Sequence, residues 1–513
     1  MKNSKKFLCT LLAGVMTAAS VSSLAACGDK TGGVGDIVAY DGSAVTVTFY
    51  HTMGANLQNV LNKYIPKFNE MYPNIEIKHD MMGDYPALRD QIAIELTAGN
   101  SPSIAYCYPD HVALYNKSRS VLTLDAFIES DKEVTKADGT TEIMGFTAEQ
   151  KADFIEGYYA EGTAYGDGKM YTLPYTKSTE VLYYNKTYFD ANNLTVPTTW
   201  EEMKEVCEAI RAKEGNNVVP LGYDSESNWF ITMTEQYGTP YTSATGDKFL
   251  FNTAENRAFV KEFRDWYEKG YVTTEEISGG YTSKLFTQTA EDKLKCYMCI
   301  GSSAGASYQC PALATRMVNK LDEQGNPIQA KDEQGNLLFE EGKPVYEQVE
   351  EQYYPFEVGI AQIPQVNKNN PKVIQQGPSL CMFKKKNSQE MAATWLFMKF
   401  LTTKVELQAE VSMTNGYTPV IKSAQNHPVY ADFLSKADGN AKLQATAVKQ
   451  TLAQMSAYYV SPAFSGSSAA RDQVGILLQN CFLKQPSANQ SIDAFIEAQF
   501  QTVIDTLNYE YSF

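Results

Sequence analysis

Between residues 44 and 107 the chain changes its hydrophobic period repeatedly, and this alternation restricts what it can fold into. The run "AVTVTFYH" (44–51) is β-branched and reads as a strand. In "NLQNVLNKYIPKFNEMYP", apolar side chains recur at Leu57, Val60, Leu61, Tyr64, Ile65 and Phe68, the spacing of one helix face, and Pro73 closes the segment. "NIEIKHD" alternates as a strand, "ALRDQIAIELTAGNSP" is a helix stopping at Gly99, and "SIAYCY" is a further strand. Strands separated by helices predict a mostly parallel α/β sheet covered on both faces, because parallel neighbours need a crossover and a helix is the usual one.

Helical patterning returns further on. "TWEEMKEVCEAIRAK" opens with Thr199 as N-cap and early glutamates, which suit the positive end of the helix dipole. "ENRAFVKEFRDWYEKG" carries Phe259, Phe263, Trp266 and Tyr267 on one stripe, read as core, and stops at Gly270. The chain has 513 residues, enough for two or three domains, and 43% are apolar, so a packed core is expected. Residues 321–346 stand apart: "DEQGNPI", "DEQGNLL" and "EEGKPV" are successive turn signals between short alternating segments, predicting a solvated hairpin insertion.

The N-terminus has the three parts of a secretory signal: Lys2, Lys5 and Lys6, an apolar stretch from Phe7 to Ala19, then small residues. That stretch falls short of the ~20 residues a bilayer span needs. Leu24-Ala25-Ala26-Cys27 resembles the lipobox of bacterial lipoproteins, which implies that Cys27 becomes a lipid-bearing first residue. Glycine-rich 28–43 would then be a flexible tether. The formal charge is −16 and only seven arginines are present, which argues against a phosphate-neutralising, nucleic-acid-binding surface. Seven cysteines remain after Cys9 and Cys27, irregularly spaced, and the Cys296–Cys299 pair in "KCYMCIG" reads as buried strand thiols rather than a metal or redox motif. The four histidines show no metal-binding spacing; His51 follows a strand and reads as a satisfied loop histidine.

Several segments resemble family 1 extracellular solute-binding proteins, the receptors of ABC importers. They are "YAEGTAYGDGKMYTLPYTKSTEVLYYNKTYFDANNLTVPTTWEEM" (159–203), "WLFMKFLTTKVELQAE" with "NGYTPV" (415–420), and "FYHTMGANLQNVLNKYIPKFNEMYPNIEI". The last, continued by "GDYPALRDQIAIELTAGNSPSI", is most similar to glycerol-3-phosphate-binding members. The resemblance implies a periplasmic-binding-protein-like fold: two α/β lobes, a hinge of crossing strands, and a ligand cleft between the lobes. The expected lobes are 44–176 with 378–435, and 177–377 with 436–513. It also implies a monomer, tethered through Cys27 to the outer face of the membrane, that binds a sugar or polyol phosphate and delivers it to permease subunits, with no cofactor or metal.

Carried over residue by residue, the resemblance implies ligand contacts at Tyr85, Ser178, Trp229, Ser302 or Ser303, Gly377, Tyr417 and Arg471. Arginine suits a phosphate because its planar fork makes two parallel charge-assisted bonds. One departure concerns the glutamate that the glycerol-phosphate receptors carry after a tyrosine; here Pro109 stands there, followed by Asp110. Carbohydrate and phosphate ester therefore both stay open as ligands. Two rivals are also open. "IGSSAG" holds a G-x-S-x-G centred on Ser303, the context of an esterase nucleophile, with His427 as the one histidine downstream. A surface polysaccharide-adhesion lipoprotein would share the tether and the aromatics.

Overall fold

The computed structural model describes residues 37–437 and 439–511. The signal segment and Cys27 lie outside the described residues. Two five-stranded sheets dominate. In chain order their strands are β1 (Val45–His51), β2 (Ile75–Met81), β3 (Ile104–Cys107), β4 (Leu173–Pro174), β5 (Glu180–Asn185), β6 (Leu221–Tyr223), β7 (Val272–Thr274), β8 (Met298–Ser302), β9 (Val358–Ala361) and β10 (Ser379–Met382).

The first sheet has the order β2-β1-β3-β10-β4. As the alternation predicted, β1 is parallel to both β2 and β3, with Val45 opposite Ile75 and Phe49 opposite Ile104. The antiparallel members, β10 and β4, come from segments remote in sequence. The second sheet, β9-β5-β8-β6-β7, is likewise parallel among β8, β6 and β7 and antiparallel where β5 and β9 join.

Each sheet organises its own core. The first core runs through Phe49, Leu61, Phe68, Tyr106 and Tyr175 and resumes at Leu380 and Trp395. The second runs from Leu182 through Trp229, Trp266 and Ile374 and resumes at Ala457. The predicted stripe is buried here: Phe259, Phe263 and Trp266 all lie in this core, with Tyr267 packed at its edge. Thr199 caps its helix in a full capping box with Glu202, so two end groups of the helix are satisfied reciprocally.

Three expectations change. The tether ends before residue 43: Ile37 and Tyr40 are buried in the first core, and the Asp41 N–H donates to Gln389 Oε1 at 2.9 Å. Four apolar residues, Ile37 to Tyr40, follow the glycines and bury rather than stay solvated. The insertion is larger than 321–346, because Ala314–Asn319 pairs antiparallel with Gln348–Tyr353 at its base. Its turns form as the signals predicted: Asp322 Oδ1 accepts the N–H groups of Gln324 and Asn326, and Asp332 Oδ1 those of Gln334 and Asn336. Finally, the boundary expected at 435 does not separate two packing units. Helix Leu443–Ala453, wholly beyond that boundary, packs on both sides: Val448 belongs to the first core, while Leu443 and Ala447 pack with Val181 and Tyr183.

Candidate ligand cleft at the lobe crossing

The chain passes between the sheets on two adjacent strands. Ser178 and Gln376 exchange backbone bonds of 3.0 and 2.9 Å. Beside them Lys177 and Thr418 exchange bonds of 3.2 and 2.7 Å. Gly377 has φ +90°, and a Cβ there would lie 2.4 Å from the Thr176 carbonyl oxygen and 2.7 Å from Lys177 Cα. Only glycine meets both conditions. Gly377→Ala is expected to cost at least about 1–3 kcal/mol from backbone strain alone, read as a lower urea midpoint; an unchanged midpoint would refute the close approach.

The first-lobe wall is made of tyrosines. Tyr85 opens helix Tyr85–Ala98 after a turn at Gly83, and Asp84 caps that helix by accepting the Ala87 N–H at 2.9 Å. The Tyr85 ring lies 4.8 Å from that of Tyr108. Thr52, Tyr108 and Tyr417 lie around its hydroxyl, and burial, then the nearby Tyr108, push its pKa well up. The Gly377 backbone reaches the Tyr108 hydroxyl, so the hinge and this wall are in contact. Tyr417 follows Gly416, whose φ is +84° and whose Cβ would lie 2.4 Å from the Ser303 carbonyl oxygen.

The second-lobe wall is polar. Ser302 Oγ accepts the Ala304 N–H at 3.2 Å and lies 3.5 Å from Ser178 Oγ. Asp224 Oδ1 accepts both the N–H and the hydroxyl of Thr282 at 2.7 Å. Glu275 is pushed up to about 8, chiefly by burial, then by the negative charges of Asp224, Glu226, Glu276 and Asp84. Asp84 belongs to the first lobe, so the two walls face one another here. Tyr281 and Tyr308 stand 58% and 71% exposed beside this group, near Tyr417. Arg471, on helix Ser467–Leu483, is half-buried at the junction and donates from Nη2 to Asn228 Oδ1. Its charge acts on Tyr108 and His111 of the first lobe and on Glu180 and Tyr241 of the second. On the same side Arg89 Nη1 donates across the lobes to Asp472 at 2.9 Å and to Ser468 Oγ at 3.0 Å.

Of the expected contacts, Tyr85, Ser178, Ser302, Gly377, Tyr417 and Arg471 gather around this crossing. Trp229 does not. It is fully buried in the second core, its ring 4.1 Å from Phe263 and stacked 5.0 Å from Tyr223. A large apolar ring on a helix facing a sheet is drawn into the core. Ser303 is also enclosed: its Oγ accepts the Thr179 N–H at 3.3 Å, and its own N–H donates to Thr179 O at 2.8 Å. The segment after it is a 3-10 turn, and His427 instead caps helix Pro428–Ser435. Cys296 and Cys299 are buried thiols. His51 is buried at the end of β1 and bonded to His79 and the Met53 N–H. Sequence reading missed Tyr108, Asn228, Glu180, Asp224, Glu275 and Tyr281, which lie in loops or at element ends where no periodicity marks them.

Two hinged α/β lobes with side chains of both meeting at the crossing define the periplasmic-binding-protein-like fold. Residues 63–442 match the family of bacterial extracellular solute-binding proteins, and the chain belongs to that family. Its members are receptors rather than enzymes, so the esterase reading of Ser303 falls. The chain is 22% identical over 403 residues to the sn-glycerol-3-phosphate-binding periplasmic protein UgpB of Rhizobium meliloti (strain 1021), covering 77% of this chain and 80% of that protein. It is 27% identical over 248 residues to the protein of that name from Salmonella typhimurium, spanning 45% of this chain and about half (52%) of that relative. Among solved structures, UgpB from Mycobacterium tuberculosis in complex with glycerophosphocholine aligns with a TM-score of 0.65 at 15% identity, covering 92% of this chain and 100% of that one. The GacH receptor of Streptomyces glaucescens, solved unliganded and with acarbose, aligns with 0.63 at 14% identity, covering 91% and 99%. These likenesses are of fold.

Proposed function

We propose that this receptor, moored outside the cell by lipid on Cys27, closes its lobes around a small polyol phosphate and hands it to the permease of an ABC importer. Each lobe offers half of the site, so binding energy is gained mainly in the closed form, and a transporter can distinguish loaded from empty by shape. The observation that carries the reading is Arg471. Among the described residues its guanidinium has no acidic partner; it is held by a neutral amide at the lobe junction. A half-buried cation with no carboxylate bonded to it directly favours an anionic guest. The ligand named for the Rhizobium relative agrees in chemistry. Across the cleft, Asp84 and Asp224 supply acceptors for hydroxyl groups. Six of the expected contacts, Tyr85, Ser178, Ser302, Gly377, Tyr417 and Arg471, belong to this reading; Trp229 and Ser303 do not.

A second reading has its own support. The exposed rings of Tyr281 and Tyr308 beside carboxylates suit the faces and hydroxyls of a neutral oligosaccharide. Calorimetry separates the two. Arg471→Ala is expected to weaken sn-glycerol 3-phosphate by about 10- to 100-fold, the worth of charge-assisted bonds, and to leave maltotriose unaffected. Unchanged affinity for the phosphate compound would remove the phosphate reading.

A further inference from the structure

We propose that Glu180, enclosed behind the cleft wall, is the positioning residue that aims Arg471 at the ligand by fixing the amide of Asn228. The inference deepens the reading of Arg471 as the anion clamp and rests on it for its functional consequence.

Glu180 is the first residue of β5, immediately past the crossing, and is 1% exposed. Both carboxylate oxygens are engaged. Oε2 accepts the Tyr223 hydroxyl at 2.7 Å and Oε1 accepts Asn228 Nδ2 at 2.7 Å. In its ionised form the group has only acceptors to offer, so it selects one face of the Asn228 amide. The NH2 must point to Glu180, which leaves Oδ1 for the guanidinium, and Arg471 Nη2 donates to it. Were the amide reversed, its NH2 would face the guanidinium, donor against donor. Asn228 is itself 3% exposed, so water cannot substitute for a missing partner at little cost.

Helix Glu226–Tyr237 grips Arg471 at a second point, because Ser227 Oγ donates to the Arg471 carbonyl at 2.9 Å. Backbone and head group of one arginine are thus both set by one helix, and that helix is keyed to β5 through Glu180. Burial pushes the Glu180 carboxyl up to about 7, with Asp224 adding to the rise, while Tyr223, Asn228 and Arg471 hold it down. Tyr459 is the other titratable side chain in its field, and Gln454 Nε2 donates to the Glu180 backbone carbonyl at 3.0 Å. Arg471 is the one cation among these neighbours. The guanidinium can therefore compensate the buried carboxylate through the amide while keeping its outer edge for a guest.

The test needs no ligand at first. The full chain has seven arginines, so 15N-arginine spectra are simple enough to assign Arg471 by its loss in Arg471→Lys. In the parent protein the Arg471 guanidinium signals should report hindered rotation. Glu180→Leu should release it, and Glu180→Gln, which can present oxygen to Asn228 and NH2 to the Tyr223 oxygen, should restore it. If Glu180→Leu does not fold, Asn228→Ala should release the guanidinium in the same way. Hindered rotation unchanged in a folded Glu180→Leu or Asn228→Ala protein would overturn the proposal. Calorimetry then reads the consequence. Glu180→Leu should weaken sn-glycerol 3-phosphate by about tenfold or more, and should have no effect when Arg471 is already alanine. An additional loss in the Arg471→Ala background would mean that Glu180 acts on the fold and not on the arginine. Insensitivity of the phosphate compound to Arg471→Ala would instead end the anion reading, with the spectra still deciding what Glu180 does.

Discussion

Lys177→Met should unfold at a much lower urea concentration than the parent protein, with a loss of about 3–5 kcal/mol, the usual effect of breaking a buried ion pair from one side. Lys177 and Glu161 are both buried, at 0% and 4% exposure, and paired. Lys177 Nζ also donates to the Gly377 carbonyl and to Ser379 Oγ, each at 3.1 Å. Glu161 in turn accepts from Ser379 Oγ at 2.8 Å and from Gln375 Nε2 at 2.9 Å. The pair therefore ties the outgoing crossing strand to the returning one, beside the glycine on which they turn. Methionine keeps the length of the stem but removes the charge, leaving a carboxylate enclosed with only neutral donors. Changing Glu161→Leu in the same chain should recover much of the loss, since removing both charges also removes the uncompensated one. A Lys177→Met protein as stable as its parent would show that the pair does not hold the hinge.

The second large effect is with acid. His51 is fully buried, and burial, then the neighbouring His79, push it down to about 3. Its Nδ1 accepts the Met53 N–H at 3.1 Å, so the ring must be neutral with its proton on Nε2, which donates to His79 Nδ1 at 2.9 Å. His79 passes the relay to Asn62 Oδ1 at 2.9 Å. Above about pH 6.5, the ordinary histidine value, folded and unfolded chains both hold the ring neutral and its contribution is complete. Below it the unfolded chain takes a proton that the folded one refuses until about pH 3. Stability is lost across that window, to a ceiling of about 5 kcal/mol. Glu180, raised to about 7, works oppositely: it favours the folded state below its ordinary range and loses that contribution as pH rises through 7. The comparison with His51→Gln isolates the histidine. The stability difference between parent and variant should be flat above pH 7 and shift by several kcal/mol against the parent toward pH 4. A difference independent of pH would contradict the neutral relay.

What could be read from the chain in advance follows the range of the forces involved. Helix faces and caps are written within a few residues, because a helix bonds i to i+4 and a cap reaches three positions. Hence the Leu57–Phe68 stripe, the Thr199 cap and the aspartate turns of the insertion were legible. The parallel strands β1, β2 and β3 were legible because each is flanked by a helix of the right length. Even the buried thiols of Cys296 and Cys299 followed from the apolar strand around them. The site was legible only through resemblance, which brought Arg471 and Tyr85 near the crossing but misplaced Trp229.

By itself, then, the amino-acid order determined the elements and their α/β alternation. Tertiary structure alone decided which residues meet. Lys177 and Ser379 are 202 positions apart, and Glu180 lies 48 from the Asn228 amide it orients. No local pattern encodes such partners. They exist because the strands cross between two separately packed cores, where a buried polar group without a partner is costly.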